Sequence, residues 1–185
     1  MKPPIRTRRW AVFISGRGSN LQALLDQLID VDIRWVLSSK ASAPGLLRAR
    51  RQGIAATVLP KKIDWAELDR ELRRRGIEAI FLAGFMKIIP EDFVRAWAGR
   101  MLNVHPSLLP QYPGLNALEK SYDDNAPMGV TVHVVTPEMD AGPQVFQRRA
   151  LPAGAKAAGV SAREAQVRIS RAEQRLVREA VRKWR

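Results

Sequence analysis

Residues 10–29, WAVFISGRGSNLQALLDQLI, hold an apolar run rich in aromatic and branched side chains, then a turn at Gly16-Arg17-Gly18-Ser19-Asn20, then apolar residues at helical spacing. That order reads as strand, glycine turn, helix. The alternation recurs downstream: IRWVLS (33–38), AATVL (55–59), EAIFLAG (78–84) and MLNV (101–104) read as strands, with helices expected over 44–53, 65–76 and 90–99. Strands alternating with helices of this length argue for a mostly parallel sheet covered by helices on both faces. Ligands of such sheets sit at the carboxyl ends of the strands.

From His105 the texture changes, because HPSLLPQYPGLN (105–116) packs three prolines and a glycine into a stretch too long for an ordinary connection. Loops of that length are usually functional or disordered. VTVHVV (130–135) and QVFQRRAL (144–151) read as strands around the loop TPEMDAGP (136–143), and a soft segment (152–162) leads to a last helix over 162–184. That helix carries Arg168, Arg171, Arg175, Arg178, Arg182 and Arg185 on one face, with Ala165, Ile169, Ala172, Leu176 and Ala180 on another.

With 185 residues the chain fits one domain of ~100–200 residues. The expected division is a phosphate-binding half over 9–104 and a second half over 105–185 ending in the last helix. The 46% apolar and 26% charged fractions are those of an ordinary folded protein. A formal net charge of +13, from 31 Lys+Arg and 18 Asp+Glu, biases the chain toward anionic partners. Zero cysteine excludes disulfides and thiolate catalysis, and two histidines, His105 and His133, leave little for a metal cage, so no metal is expected. The run AVFIS is too short for a signal peptide or membrane span, and a cytoplasmic protein is expected.

Two constellations stand out chemically. In SGRGSN, glycines permit close backbone approach, and free N–H groups at the helix start together with Ser19 and Asn20 form a natural phosphate cradle. The pattern is neither G-x-G-x-x-G nor a Walker sequence. In MLNVH, alternation sends Asn103 and His105 to one side at the strand's carboxyl end, where both can point at one oxygen. A carboxylate from Asp140 beside His105 would favour the charged imidazolium. His133, inside VTVHVV, is expected to be a buried hydrogen-bonding residue. No serine stands beside either histidine as a nucleophile, so direct transfer between two bound substrates fits better than an acyl-enzyme.

In order along the chain, FISGRGSNLQAL, LSSKASAPGLLRARRQGI, LAGFMKIIPEDFVRAWAGRMLNVHPSLLPQYPGL and GVTVHVVTPEMDAGPQV resemble the folate-dependent glycinamide ribonucleotide formyltransferases of purine biosynthesis. The resemblance implies a three-layer αβα, Rossmann-like formyltransferase fold. It implies direct formyl transfer from 10-formyltetrahydrofolate to the amine of glycinamide ribonucleotide, by a monomer or homodimer without membrane or nucleic-acid partner. It assigns Gly18, Ser19 and Asn20 to the ribonucleotide phosphate, and Ser170 and Glu173 to holding the same substrate. Met86, Lys87, Ile88 and Ile89, with Thr136, Pro137, Glu138, Met139 and Asp140, fall on the folate site. Asn103, His105 and Asp140 fall on the catalytic trio.

The chain also departs from that family. Trp65 stands where an arginine is frequent, Asn116 and Leu118 replace histidines, Ala141 replaces a glycine, and residues 152–162 replace a more acidic loop. Methionyl-tRNA formyltransferases and formyltetrahydrofolate hydrolases share the trio, but each is expected to carry a further domain. A folate- or RNA-binding protein without catalysis is the reading from another class.

Overall fold

The computed structural model describes residues 8–27 and 31–184, so the amino-terminal stretch 1–7, the end of the first expected helix (28–30) and Arg185 lie outside the described residues. The elements run β1 (Arg9–Ile14), α1 (Ser19–Leu25), β2 (Asp32–Ser38), α2 (Gly45–Arg51), β3 (Ala55–Val58), α3 (Trp65–Arg74), β4 (Ala79–Leu82), α4 (Glu91–Ala96) and β5 (Met101–His105). They continue with α5 (Ala117–Asp123), β6 (Met128–Val134), β7 (Gln144–Leu151) and α6 (Ala162–Lys183). The strands form one sheet in the order β3-β2-β1-β4-β5-β6-β7. β1 to β5 pair in parallel, whereas β5–β6 and β6–β7 are antiparallel.

Strand alternation divides the interior in two. Val12, Ile14, Phe81, Leu102, Val104, Val130 and Val132 face a core closed by α1 and α6, through residues such as Leu21, Leu24, Ile169 and Leu176. Ala11, Phe13, Ile80, Leu82 and Met101 face the other, closed by Leu68 and Leu72 of α3 and Phe93 of α4 with Trp97 beside it. This is the expected three-layer arrangement. Each large apolar side chain so buried contributes roughly 1.5–3 kcal/mol.

Local signals agree with the packing. The Asp64 side chain caps α3 by accepting the Glu67 N–H at 2.9 Å, and Ser161 caps α6 by accepting from Glu164 at 3.2 Å. Two elements differ from the sequence reading. α1 stops at Leu25, where the Asp26 and Gln27 N–H groups bond back to Gln22 and Leu24. α5 was not expected, and opens at Asn116 in a left-handed conformation with φ of 59°. Among the described residues no helix is long and apolar enough to cross a membrane.

Candidate active site

β5, β6 and β7 meet in two polar rungs, one above the other. His105 pairs with Thr131, and Thr131 with Gln147; Asn103 pairs with His133, and His133 with Gln144. A bulge near Val132 and His133 lets β7 keep Gln144 and Gln147 in step across three residues. Because Leu102, Val104, Val130 and Val132 point into the α1/α6 core, the rungs project to the opposite face. There the loop after β5 covers them: Leu109 N–H donates to Thr131 Oγ1 at 3.1 Å, and Thr131 donates to the Ser107 carbonyl at 2.8 Å. Gly129 permits this docking, since a Cβ there would lie 2.4 Å from Leu108 Cδ2.

Asn103, His105 and Asp140 come together as expected. Asp140 reaches them from the loop between β6 and β7 with a φ of 53°. Its Oδ2 lies 3.4 Å from His105 Nδ1 and accepts the Gly114 N–H at 2.7 Å, while its Oδ1 lies 3.5 Å from Asn103 Nδ2. Burial alone raises this carboxyl, but the His133 hydrogen bond, the Gly114 N–H and the charges of His105 and His133 outweigh it. The net effect holds Asp140 below its ordinary value. The anion is the resident form.

His105, only 5% exposed, faces an acceptor at each ring nitrogen: the Asp140 carboxylate at Nδ1 and the Tyr112 carbonyl, 2.8 Å away, at Nε2. A neutral imidazole donates from one nitrogen only, so this pair of acceptors suits the imidazolium.

The cluster also contains a residue that the sequence reading left as structural. His133 is buried as expected, yet its Nε2 lies 3.1 Å from Asn103 Nδ2 and 3.4 Å from Asp140 Oδ1. With Nδ1 donating to the Val134 carbonyl at 3.0 Å, a neutral ring accepts from Asn103 and a charged ring donates to Asp140. The signal was present as Thr-x-His in β6 facing Asn-x-His in β5, but it becomes legible only once the two strands are known to be antiparallel.

A second site lies at the start of α1. Gly18 caps that helix with φ of 72° and no side-chain bond, which leaves the first-turn N–H groups without intrahelical partners. A Cβ at Gly18 would stand 2.8 Å from the Cα of Gly45, so the turn rests directly on α2. Asn20 is buried, its Oδ1 has no hydrogen-bond partner, and its side chain bonds the Glu173 carboxyl of α6. Burial pushes that carboxyl up to about 7, with the Asn20 bond opposing the shift. Ser170 sits one helical turn before Glu173, half-buried, and accepts from Gln174 at 3.4 Å. The structure thus joins Asn20 to Glu173 and leaves Ser170 on the same helix face.

The two expected folate segments lie in the loops that follow β4 and β6. Met86 N–H donates to the buried Ser15 Oγ at 2.8 Å, which ties residues 86–89 to the carboxyl end of β1. Glu138 lies near enough to α4 that its charge, after the dominant Glu91 hydrogen bond, helps hold the Arg95 guanidinium above its ordinary value. Thr136 donates to the Glu138 carbonyl at 3.2 Å, and Pro137 is exposed. Met86, Ile88 and Met139 are large apolar groups exposed by 65%, 87% and 65%. Lys87 is exposed and Ile89 packs against the α3/α4 core. Trp65 stacks edge-on to Phe93 with centroids 4.9 Å apart, which makes it part of that core's margin.

Residues 8–181 match the family model described as formyl transferase. The phosphoribosylglycinamide formyltransferase of Escherichia coli K12 is 45% identical over 152 residues, covering 75% of this chain and 70% of that protein. The trifunctional purine biosynthetic protein adenosine-3 of Drosophila melanogaster is 42% identical over 155 residues, 77% of this chain but only 12% of that longer protein. Among solved structures, phosphoribosylglycinamide formyltransferase from Anaplasma phagocytophilum superposes with a TM-score of 0.88 at 38% identity. That alignment covers 95% of this chain and 86% of the other.

Proposed function

The chain belongs to the formyl transferase family, and on that premise we propose that its activity is that of a phosphoribosylglycinamide formyltransferase in purine biosynthesis. Formyl passes from 10-formyltetrahydrofolate to the amine of glycinamide ribonucleotide. The observation that carries this reading is the closure of Asn103, His105 and Asp140, with His133, into one cluster of contacts no longer than 3.5 Å.

The amine attacks the formyl carbon, and charge develops on the formyl oxygen as the tetrahedral centre forms. Asn103, half-buried on the open side of the cluster, donates an amide N–H to that oxygen. The imidazolium of His105, oriented by Asp140 at Nδ1 and by the Tyr112 carbonyl at Nε2, adds its field. Asp140 sustains the imidazolium and, through water, relays the proton released by the attacking nitrogen to N10 as the bond from the formyl carbon to N10 breaks. Donors aimed at a developing oxyanion are worth about 3–4 kcal/mol each in transition-state stabilisation. Holding both substrates side by side supplies much of the remainder.

Substrate placement follows from the second site. The first-turn N–H groups of α1 with Gly18, Ser19 and Asn20 take the ribonucleotide phosphate, and Ser170 and Glu173 hold the rest of that substrate. The folate lies between Met86–Ile89 and Thr136–Asp140, against the exposed Met86, Ile88 and Met139. The test is to mix the protein with 10-formyltetrahydrofolate and follow tetrahydrofolate release with and without glycinamide ribonucleotide. Release that requires the ribonucleotide supports transfer; release without any acceptor identifies a hydrolase and overturns the reading.

A further inference from the structure

The Tyr112 carbonyl that occupies His105 Nε2 belongs to a loop whose position is set from the far edge of the sheet. Gln147 Nε2 donates to the Leu109 carbonyl at 2.8 Å, and Gln144 Nε2 donates to the same oxygen, also at 2.8 Å. Gln147 also reaches Thr131 Oγ1 at 3.0 Å, the hydroxyl that accepts the Leu109 N–H. Leu109 is 4% exposed and Thr131 fully buried, so both backbone polar groups of Leu109 are satisfied through this network. Two amides converging on one carbonyl is more than loop burial requires, since a single N–H would satisfy it.

From Leu109 the constraint passes along a stiff path to the reacting groups. Ser107 Oγ donates to the Gln111 carbonyl at 2.6 Å, Tyr112 sits at φ of 56°, and the next contacts are its carbonyl on His105 and the Gly114 N–H on Asp140. Gln144 and Gln147 complete the rungs of His133 and His105, so strand register itself aims them at this loop. We propose that Gln144 and Gln147 are positioning residues: an amide clamp on Leu109 that keeps the Tyr112 carbonyl on His105 Nε2 and the Gly114 N–H on Asp140, and so fixes the orientation of the His105 ring and the Asp140 carboxylate toward the formyl centre. This inference rests on the formyl-transfer reading.

The variants are Gln144→Met, Gln147→Met and the double substitution, which keep volume and remove the donors. Each single variant retains one amide on Leu109 and loses little. The double variant loses turnover by about tenfold or more, because small displacements of a catalytic group are that costly. Its KM values for both substrates stay within about threefold, and its kcat-against-pH profile moves because His105 has lost its fixed acceptor. Two readouts do not depend on activity: amide hydrogen exchange across residues 109–114, which accelerates in the double variant, and the NMR titration of the His105 ring, which shifts. A double variant with unchanged exchange and an unshifted His105 titration overturns the clamp. If the parent protein transfers no formyl group, the functional reading falls, while the exchange and titration still decide the clamp.

Discussion

At the scale of single residues, the reacting cluster joins two charge states that burial would otherwise oppose. Burial raises the Asp140 carboxyl, and His133, the Gly114 N–H and the charge of His105 together outweigh it and hold it below its ordinary value. Substituting Asp140→Asn removes the negative charge that lies 3.4 Å from His105 Nδ1. Turnover is expected to fall by about a hundredfold or more, with folate affinity, measured by fluorescence quenching, changed far less. His105→Ala is expected to behave the same way. Glu173 is the converse case, since burial has raised it to about 7 from 4.5. The folded chain holds this proton more tightly than the unfolded one, so the associated stability is fully present below pH 4.5 and is lost as pH rises through about 7. Replacing it by Gln should leave thermal stability unchanged near pH 4 and raise it at pH 8, by at most about 3 kcal/mol. A parent and variant that melt alike at both pH values would contradict the assignment.

At the scale of elements, α6 is the longest helix described, and it brings Glu173 to Asn20. Its start is fixed by Ser161, so Ser161→Ala should lower stability by about 1 kcal/mol, read from chemical denaturation. Removing packing costs more: Leu176→Ala, at a site 1% exposed, should cost about 2–5 kcal/mol. Most of these elements were legible beforehand because apolar periodicity and glycine turns mark strands and helices through local physics. The apolar stripe Ala165, Ile169, Ala172, Leu176 and Ala180 is indeed the buried one. α5 escaped because seven residues, ALEKSYD, span too few turns to establish a period. The antiparallel turn of β6 escaped for a different reason. Alternation tells which side chains share a face but not which way a neighbouring strand runs, so His133 could not be placed beside Asn103. Asn103 and His105 were readable because they lie on one strand, two residues apart.

Across the whole molecule the charge is unevenly spent. On α3 and at its cap, Arg70, Arg73, Arg74 and Arg75 each face Glu67, Asp69 or Glu71. On α6, Arg168 pairs with Glu164, but Arg171, Arg175, Arg178 and Arg182 have no carboxylate partner among the described residues. The excess of 13 positive charges is therefore concentrated in part along one late helix rather than in the reacting cluster. Arg171→Glu would face Arg168 and Arg175 at helical spacing, with no carboxylate three or four residues away, and is expected to stabilise the fold by about 0.5–1 kcal/mol at low ionic strength. The gain should vanish in about 1 M salt, where such pairs are screened. The seat of Gly18 on Gly45 has a bearing on any library built to retarget the ribonucleotide turn. Randomising residues 16–20 against a fixed α2 samples mostly collisions, because a side chain at Gly18 meets Gly45 and one at Gly45 meets Ile14 at 2.5 Å. The heritable unit is the turn together with its distant seat, and a graft of the turn alone leaves half of its design behind.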